Sequence, residues 1–195
     1  MASLREKVEA ELEQMDQALR ELPGARRVKQ LSVLELGGTA SLLSSLYHGA
    51  ENILKQGLLA VGVALPSGAA WHRDLLQSAR EHGMVTIELR DRLAPYVAFR
   101  HFFTHAYGFD LDPERMAPLI RDVRPVYACF KREARRFVRM QAARRRPSKS
   151  PGRQGGTNRQ TVRRPEKIDR NEVSNRKVNR NETVIARSFR RQRHT

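Results

Sequence analysis

Residues 88–109 read ELRDRLAPYVAFRHFFTHAYGF, and the fold turns on this stretch. Leu89, Leu93, Tyr96, Val97 and Phe103 keep the spacing of one helix side to about Ala106, with charged residues between them. Pro95 is expected to start a new first turn or to kink the helix, and Gly108 is the expected stop. Upstream, AAWHRDLLQSAREH (69–82) reads as a short helix closed at Gly83. Before it, Thr39 to about Val63 reads as a longer, more buried helix. Val28 to Leu36 is a further apolar stretch, ending at Gly37 and Gly38, which read as a loop. Leu4, Val8, Leu12, Met15 and Leu19 mark an amphipathic helix from Leu4 to Leu22, interrupted by Pro23 and Gly24. Downstream, DLDPERMAPLIRDVRPVYACFKREARRFVRMQ (110–141) opens with Asp112 as cap and Pro113 at the first helical position. Pro118 and Pro125 are expected to kink or split that helix. No strand-like alternation competes, so the sequence predicts an all-α bundle of four to five helices.

Charge divides the chain. The formal net charge of the 195 residues is +16, but residues 1–130 hold 15 basic and 16 acidic side chains, whereas 131–195 hold 22 and 5. Residues 146–195 contain eight scattered apolar side chains, too few to bury a core. The expected organisation is a helical domain over 1–143 and a disordered basic tail over 144–195. Such a tail suggests a polyanionic partner reached through one end of the molecule.

Other classes recede. The longest apolar run, Leu58 to Pro66, is too short to cross a bilayer, and MASLREKVEAELEQ lacks the apolar region of a secretory signal. The single cysteine, Cys129, permits neither an intramolecular disulfide nor a cysteine-based zinc cage, which fits a reducing, cytoplasmic setting.

The densest group of unusual residues is Arg100, His101, His105 and Tyr107. A guanidinium clamps phosphate, an imidazole exchanges a proton near neutral pH and a phenol donates a hydrogen bond, a set that permits phosphoryl chemistry without metal or cofactor. Arg-x4-His alone is expected about once by composition; with Tyr two residues later the expectation falls to about 0.02.

RHFFTHAY resembles the Arg-x4-His-x-Tyr signature of HepT-like toxins, within the HEPN superfamily of helical ribonucleases. LYHGAENILK from Leu46, WHRDLL from Trp71 and the acidic-proline opening of the last helix extend the likeness over about Leu4 to Met140. Pro95 and the long tail depart from it. The resemblance implies a HEPN-like bundle acting as the toxin of a type VII toxin–antitoxin system, a metal-independent endoribonuclease. It implies that Arg100 and His105 are catalytic, that His101 fills the supporting polar position, and that Tyr107 accepts AMP from a minimal nucleotidyltransferase antitoxin. It also implies a homodimer whose two motifs meet in one cleft.

An ideal helix places Arg100 and His105 roughly 140° apart, so they do not share a face. Either the helix unwinds near Ala106 and Gly108, or the two residues meet across a two-fold interface. In the implied reaction one imidazole helps remove the ribose 2′-OH proton, Arg100 neutralises the phosphorane and a second imidazole protonates the leaving 5′-oxygen. DNA, lacking the 2′-OH, is excluded.

Plainer readings stand beside these. His101 and His105 at i and i+4 suit a metal pair, but no third ligand is evident nearby. Phe102, Phe103, Phe109 and Trp71 read as packing residues and His48 and His72 as polar bundle positions, while Glu51, near His48, reads first as a surface residue and second as a support of the site. The basic face of Lys131, Arg132, Arg135, Arg136 and Arg139, continuing through Arg144, Arg145 and Arg146, is either a solvated face or an RNA-binding one. The alternative function is a catalytically silent helical RNA-binding or nucleotide-sensing adaptor.

Overall fold

The computed structural model describes residues 2–105 and 110–144. Among these residues all regular structure is helical: α1 (Leu4–Glu21), a 3-10 segment (Ala25–Gln30), α2 (Val33–Ala60), α3 (Trp71–Glu81), α4 (Ile87–His105) and α5 (Pro113–Arg144). The all-α bundle is therefore the architecture, at five α-helices. The expected stop at Gly108, the residues Tyr107 and Phe109, and the tail beyond Arg144 lie outside the described residues.

Helices α1 and α2 begin with the same device. Ser3 and Ser32 each accept a hydrogen bond from the backbone N–H three residues on, and Glu6 and Glu35 reach back to the cap N–H at 2.8 Å. For α2 this overturns the loop reading of Gly37 and Gly38. The cap starts the helix ahead of both glycines, and burial of Leu36, Thr39, Ala40 and Leu43 offsets their weak helix propensity of about 1 kcal/mol each. A Cβ at Gly38 would meet no atom within 4 Å. Gly38→Ala is therefore expected to stabilise the protein by about 0.5–1 kcal/mol, read as a higher thermal midpoint; a loss of stability would instead favour the loop.

The C-termini of α2 and α3 also share a motif. Gly62 and Gly83 have φ of 78° and 71°, and Val63 and Met84 donate back to the carbonyls of Leu58 and Ala79 at 3.0 and 2.9 Å. Thr86 caps α4: its Oγ1 accepts from Leu89 N–H, while its own N–H donates to the buried carboxylate of Glu133 on α5 at 2.7 Å. Asp112 caps α5 as expected, accepting from Glu114 N–H at 2.9 Å.

The prolines do not split their helices. Pro118 and Pro125 lie on the exposed side of α5 and Pro95 is half-buried in α4. On α5, water can solvate the carbonyls that lose a donor. The apolar stripe Met116, Ile120, Val123, Tyr127, Phe130 and Phe137 runs past both α5 prolines and holds that helix on the core.

Helix α2 is the centre of the bundle and packs against α1, α3, α4 and α5. Gly49 permits the α1 approach, since a Cβ there would fall 2.6 Å from Met15 Cγ. A polar seam joins α1 to α5: the Tyr127 hydroxyl donates to the Asp16 carboxylate at 2.7 Å, Lys131 Nζ donates to Asp16 at 2.6 Å, and Arg135 makes a two-pronged pair with Glu9. The hydrogen bond from Arg135 holds the Glu9 carboxyl below the usual range. Burial pushes Asp16 up, but hydrogen bonds from Lys131 and Tyr127 outweigh it and leave a net lowering. Both carboxyls thus bind protons more weakly folded than unfolded. Their stabilising contribution is present above the normal carboxylate range and is lost as pH falls below about 4. Acid titration of the thermal midpoint is expected to be shallower in the Glu9→Gln, Asp16→Asn double variant than in wild type; equal slopes would show that the seam does not contribute. No described helix is long and apolar enough to cross a membrane.

Candidate active site

Three helices converge on Arg100. From α4 its Nε lies 3.4 Å from Glu51 Oε2 on α2, and its Nη2 lies 3.4 Å from His48 Nδ1, one turn earlier on α2. Its Nη1 lies 3.0 Å from Nε2 and 3.2 Å from Nδ1 of His72, at the start of α3. A nitrogen nearly equidistant from both ring nitrogens in the imidazole plane would collide with the Cε1 between them. The guanidinium therefore lies over the ring face, in a stacking contact rather than two hydrogen bonds. Trp71 packs against the same imidazole with ring centroids 3.6 Å apart, and Lys55 Nζ sits 4.3 Å from the centre of the Trp71 ring.

Glu51 anchors the group. Its side chain is 0 % exposed, against 20 % for Arg100 and His72 and 53 % for His48. The surface reading of Glu51 is thus reversed. It occupies a core register of α2 with Leu43, Tyr47, Leu54 and Leu58, all buried. Removing a carboxylate from water costs several kcal/mol unless cations and donors answer it. Here Arg100 supplies the charge, His72 Nδ1 makes a short contact to Oε1, and His48 Nδ1 lies 3.8 Å from Oε2.

His105 belongs to a different arrangement. Helix α4 runs through His105, and the unwinding expected near Ala106 and Gly108 falls outside the described residues. His105 and His101 are both exposed and meet edge to face with centroids 5.0 Å apart. Arg100 turns instead toward α2 and α3. The structure thus brings His101 together with His105, and Arg100 together with Glu51, His72 and His48. Phe102 and Phe103 pack against the core, as their composition suggested, and Trp71 is partly buried against it.

The basic face divides in two. Arg135 is bound to Glu9, and Lys131 to Asp16. Arg132, Arg136, Arg139 and Arg144 are exposed, so the exposed basic stripe on α5 is narrower than the charge run. Arg145 and Arg146 lie outside the described residues. Burial and the adjacent Glu133 push the Cys129 thiol up, against service as a thiolate nucleophile. A groove of about 620 Å³ between α1 and α2 is lined by Glu11, Glu21, Arg20 and His48 among others, a lining ill suited to a polyphosphate.

Glu51 and His72 were the residues the sequence underrated. A charged side chain in the register Leu43, Tyr47, Glu51, Leu54, Leu58 was the available signal, because an acid in a core stripe requires a buried partner.

A family model described as HepT-like protein matches residues 38–141, a span holding α3, α4 and nearly all of α2 and α5. No curated protein and no solved structure matches the chain.

Proposed function

The chain belongs to the HepT-like family, and on that premise we propose that it is the toxin of a type VII toxin–antitoxin pair, a metal-independent endoribonuclease. The observation that carries the reading is that RHFFTHAY falls inside the matched span. The arrangement of Arg100 supports it, since three helices hold a permanently charged phosphate ligand at a partly open position. Arg100 neutralises charge growing on the phosphorane, one imidazole accepts the 2′-OH proton, and another protonates the leaving 5′-oxygen. The products are a cyclic 2′,3′-phosphate and a 5′-OH end.

His105 serves from the second subunit of a homodimer, which answers the divergent directions of Arg100 and His105 on α4. His101, packed edge to face on His105, orients that imidazole. Tyr107, two positions further along the sequence, accepts AMP from a minimal nucleotidyltransferase antitoxin. The added phosphate competes with substrate for Arg100. Arg132, Arg136, Arg139 and Arg144 add non-specific phosphate contacts, continued by Arg145 and Arg146, with Arg135 the least available because of Glu9. The protein works in the cytoplasm, where RNA and the antitoxin meet.

The test is cleavage of an oligoribonucleotide in the presence of a chelator. Wild type is expected to cut it, and Arg100→Lys, which keeps the charge but loses the fork, is expected to be at least about 100-fold slower. Deleting residues 146–195 is expected to leave the cleavage rate constant within about threefold while weakening RNA binding and flattening its salt dependence. If cleavage disappears with the tail, the tail carries function. One observation favours the silent-adaptor reading: the Arg100 guanidinium faces Glu51, His72 and His48 within its own subunit. RNA binding without cleavage in every form would decide for it.

A further inference from the structure

We infer that His72, oriented by the buried Glu51, is the imidazole that accepts the 2′-OH proton beside Arg100, within one subunit. The inference rests on the ribonuclease reading above and assigns a residue to a role which that reading leaves open.

The first ground is contact. Of the imidazoles in the described residues, those of His72 and His48 touch Arg100, while His101 and His105 pair with one another. A base for phosphoryl transfer must stand within hydrogen-bond reach of a group bound to the same phosphate as the arginine. His72 stands beside the arginine, with Nη1 of Arg100 3.0 Å from its Nε2, so a phosphate bound by Arg100 comes close to that imidazole.

The second ground is orientation. A neutral imidazole has one N–H, and the Oε1 of Glu51 can only accept. The short contact between Oε1 and Nδ1 therefore puts the proton on Nδ1 and leaves Nε2 with its lone pair. A buried carboxylate that fixes a tautomer and then stabilises the imidazolium is the arrangement that activates histidine bases generally. Trp71 on the ring face and Arg100 against the same ring restrict its rotation. His48 is a weaker choice: its Nδ1 stands 3.8 Å from Glu51 and its side chain is half exposed.

The third ground is the cost of Glu51 itself. An apolar side chain of similar volume at a fully buried position of α2 would avoid the desolvation penalty. The carboxylate is explained by what it holds, namely Arg100 and His72 together.

The step balances. The 2′-OH proton passes to Nε2 of His72, the 2′-oxygen forms a bond to phosphorus, and the bond from phosphorus to the 5′-oxygen breaks. The leaving oxygen takes a proton from a second imidazole, His105 of the other subunit in the proposed dimer. Exchange with solvent water then returns both imidazoles to their starting forms. The charged and titratable groups around His72 are Glu51 of α2 and Arg100 of α4 in contact with it, His48 of α2 beside both of those, Lys55 of α2 across the Trp71 ring, and Arg73 and Asp74 as its chain neighbours. Glu51 acts through His72 and Arg100 and is a positioning residue.

The experiment pairs cleavage kinetics with nuclear magnetic resonance of 15N-imidazole-labelled full-length protein. Long-range 15N–1H spectra of wild type, assigned with His72→Asn, are expected to show His72 protonated at Nδ1 and bare at Nε2; the opposite tautomer overturns the inference. His72→Asn keeps a donor toward Glu51 and loses Nε2. It is expected to lower kcat about 100-fold or more with KM within about threefold, and to erase the acidic limb of the kcat pH profile. Glu51→Gln is expected to lower kcat and to shift that limb. His82→Asn, at the exposed end of α3, serves as the control with wild-type kinetics. Thermal melts identify any variant that fails to fold, in which case His72→Gln replaces it. If wild type cuts RNA and folded His72 variants cut equally well with an unchanged pH profile, His72 is excluded while the ribonuclease reading stands. If wild type cuts no RNA, both fall.

Discussion

Arg100→Ala is expected to do two things at once: remove RNA cleavage and destabilise the fold by about 3 kcal/mol. The second effect follows from Glu51, whose carboxylate is fully buried and loses its one permanent cation. Removing one partner of a buried pair costs more than the pair contributes, because the charge left behind has no solvent; about 3 kcal/mol is the low end of that range, since His72 and His48 remain near the carboxylate. A dead Arg100→Ala protein is therefore ambiguous on its own. Adding Glu51→Gln removes the stranded charge, so the double variant is expected to recover most of the lost thermal stability and none of the activity. Equal destabilisation in the single and double variants would mean that Glu51 and Arg100 are not coupled. The comparison needs thermal melts on three proteins and one cleavage assay.

His105→Ala is expected to have the second large effect, of the opposite kind. The side chain is exposed and touches only His101 among its described ring contacts, so stability is expected to change by less than about 0.5 kcal/mol. Cleavage is expected to fall by about 100- to 10,000-fold, the range for losing a positioned acid or base. The directions of Arg100 and His105 add a sharper consequence. If each site takes Arg100 from one subunit and His105 from the other, a heterodimer of Arg100→Lys and His105→Ala holds one intact site. Inactive homodimers mixed and reassociated in equal amounts are then expected to regain about a quarter of wild-type activity, by the statistics of a two-fold assembly. No recovery in a mixture shown to exchange subunits would place both residues in one chain's site, or would remove His105 from it.

The fold was legible because burial leaves a period in the sequence. Leu4, Val8, Leu12 and Met15 on α1, and Met116, Ile120, Val123 and Tyr127 on α5, show the three-and-four spacing that packing against α2 requires. Errors came where a local rule met a stronger neighbour. Gly37 and Gly38 have loop propensity, yet the capping box at Ser32 and Glu35 had already fixed the helix. Pro118 and Pro125 lose backbone hydrogen bonds, yet they do not split α5, because they face outward on a helix held by its opposite side. The same contrast runs through the site. Arg100, His101 and His105 announce themselves as a dense motif on one helix. Glu51 and His72 lie on two other helices, and nothing in linear spacing says that α2 and α3 bring them against Arg100. The charge of the chain also reads differently: Arg135 and Lys131 in the basic run serve the α1–α5 seam, leaving Arg132, Arg136, Arg139 and Arg144 as the exposed basic stripe.

The chemistry at Arg100 is tested most directly by one substrate pair: an oligoribonucleotide cut by the wild-type protein, and the same oligonucleotide with a single 2′-deoxy residue at the mapped cleavage position. In the presence of chelator, the first is expected to yield a 2′,3′-cyclic phosphate and a 5′-OH end, and the second is expected to remain intact at that position. Failure of the folded wild-type protein to cut the first, or cleavage of both at the same rate, would contradict a metal-independent ribonuclease built on Arg100.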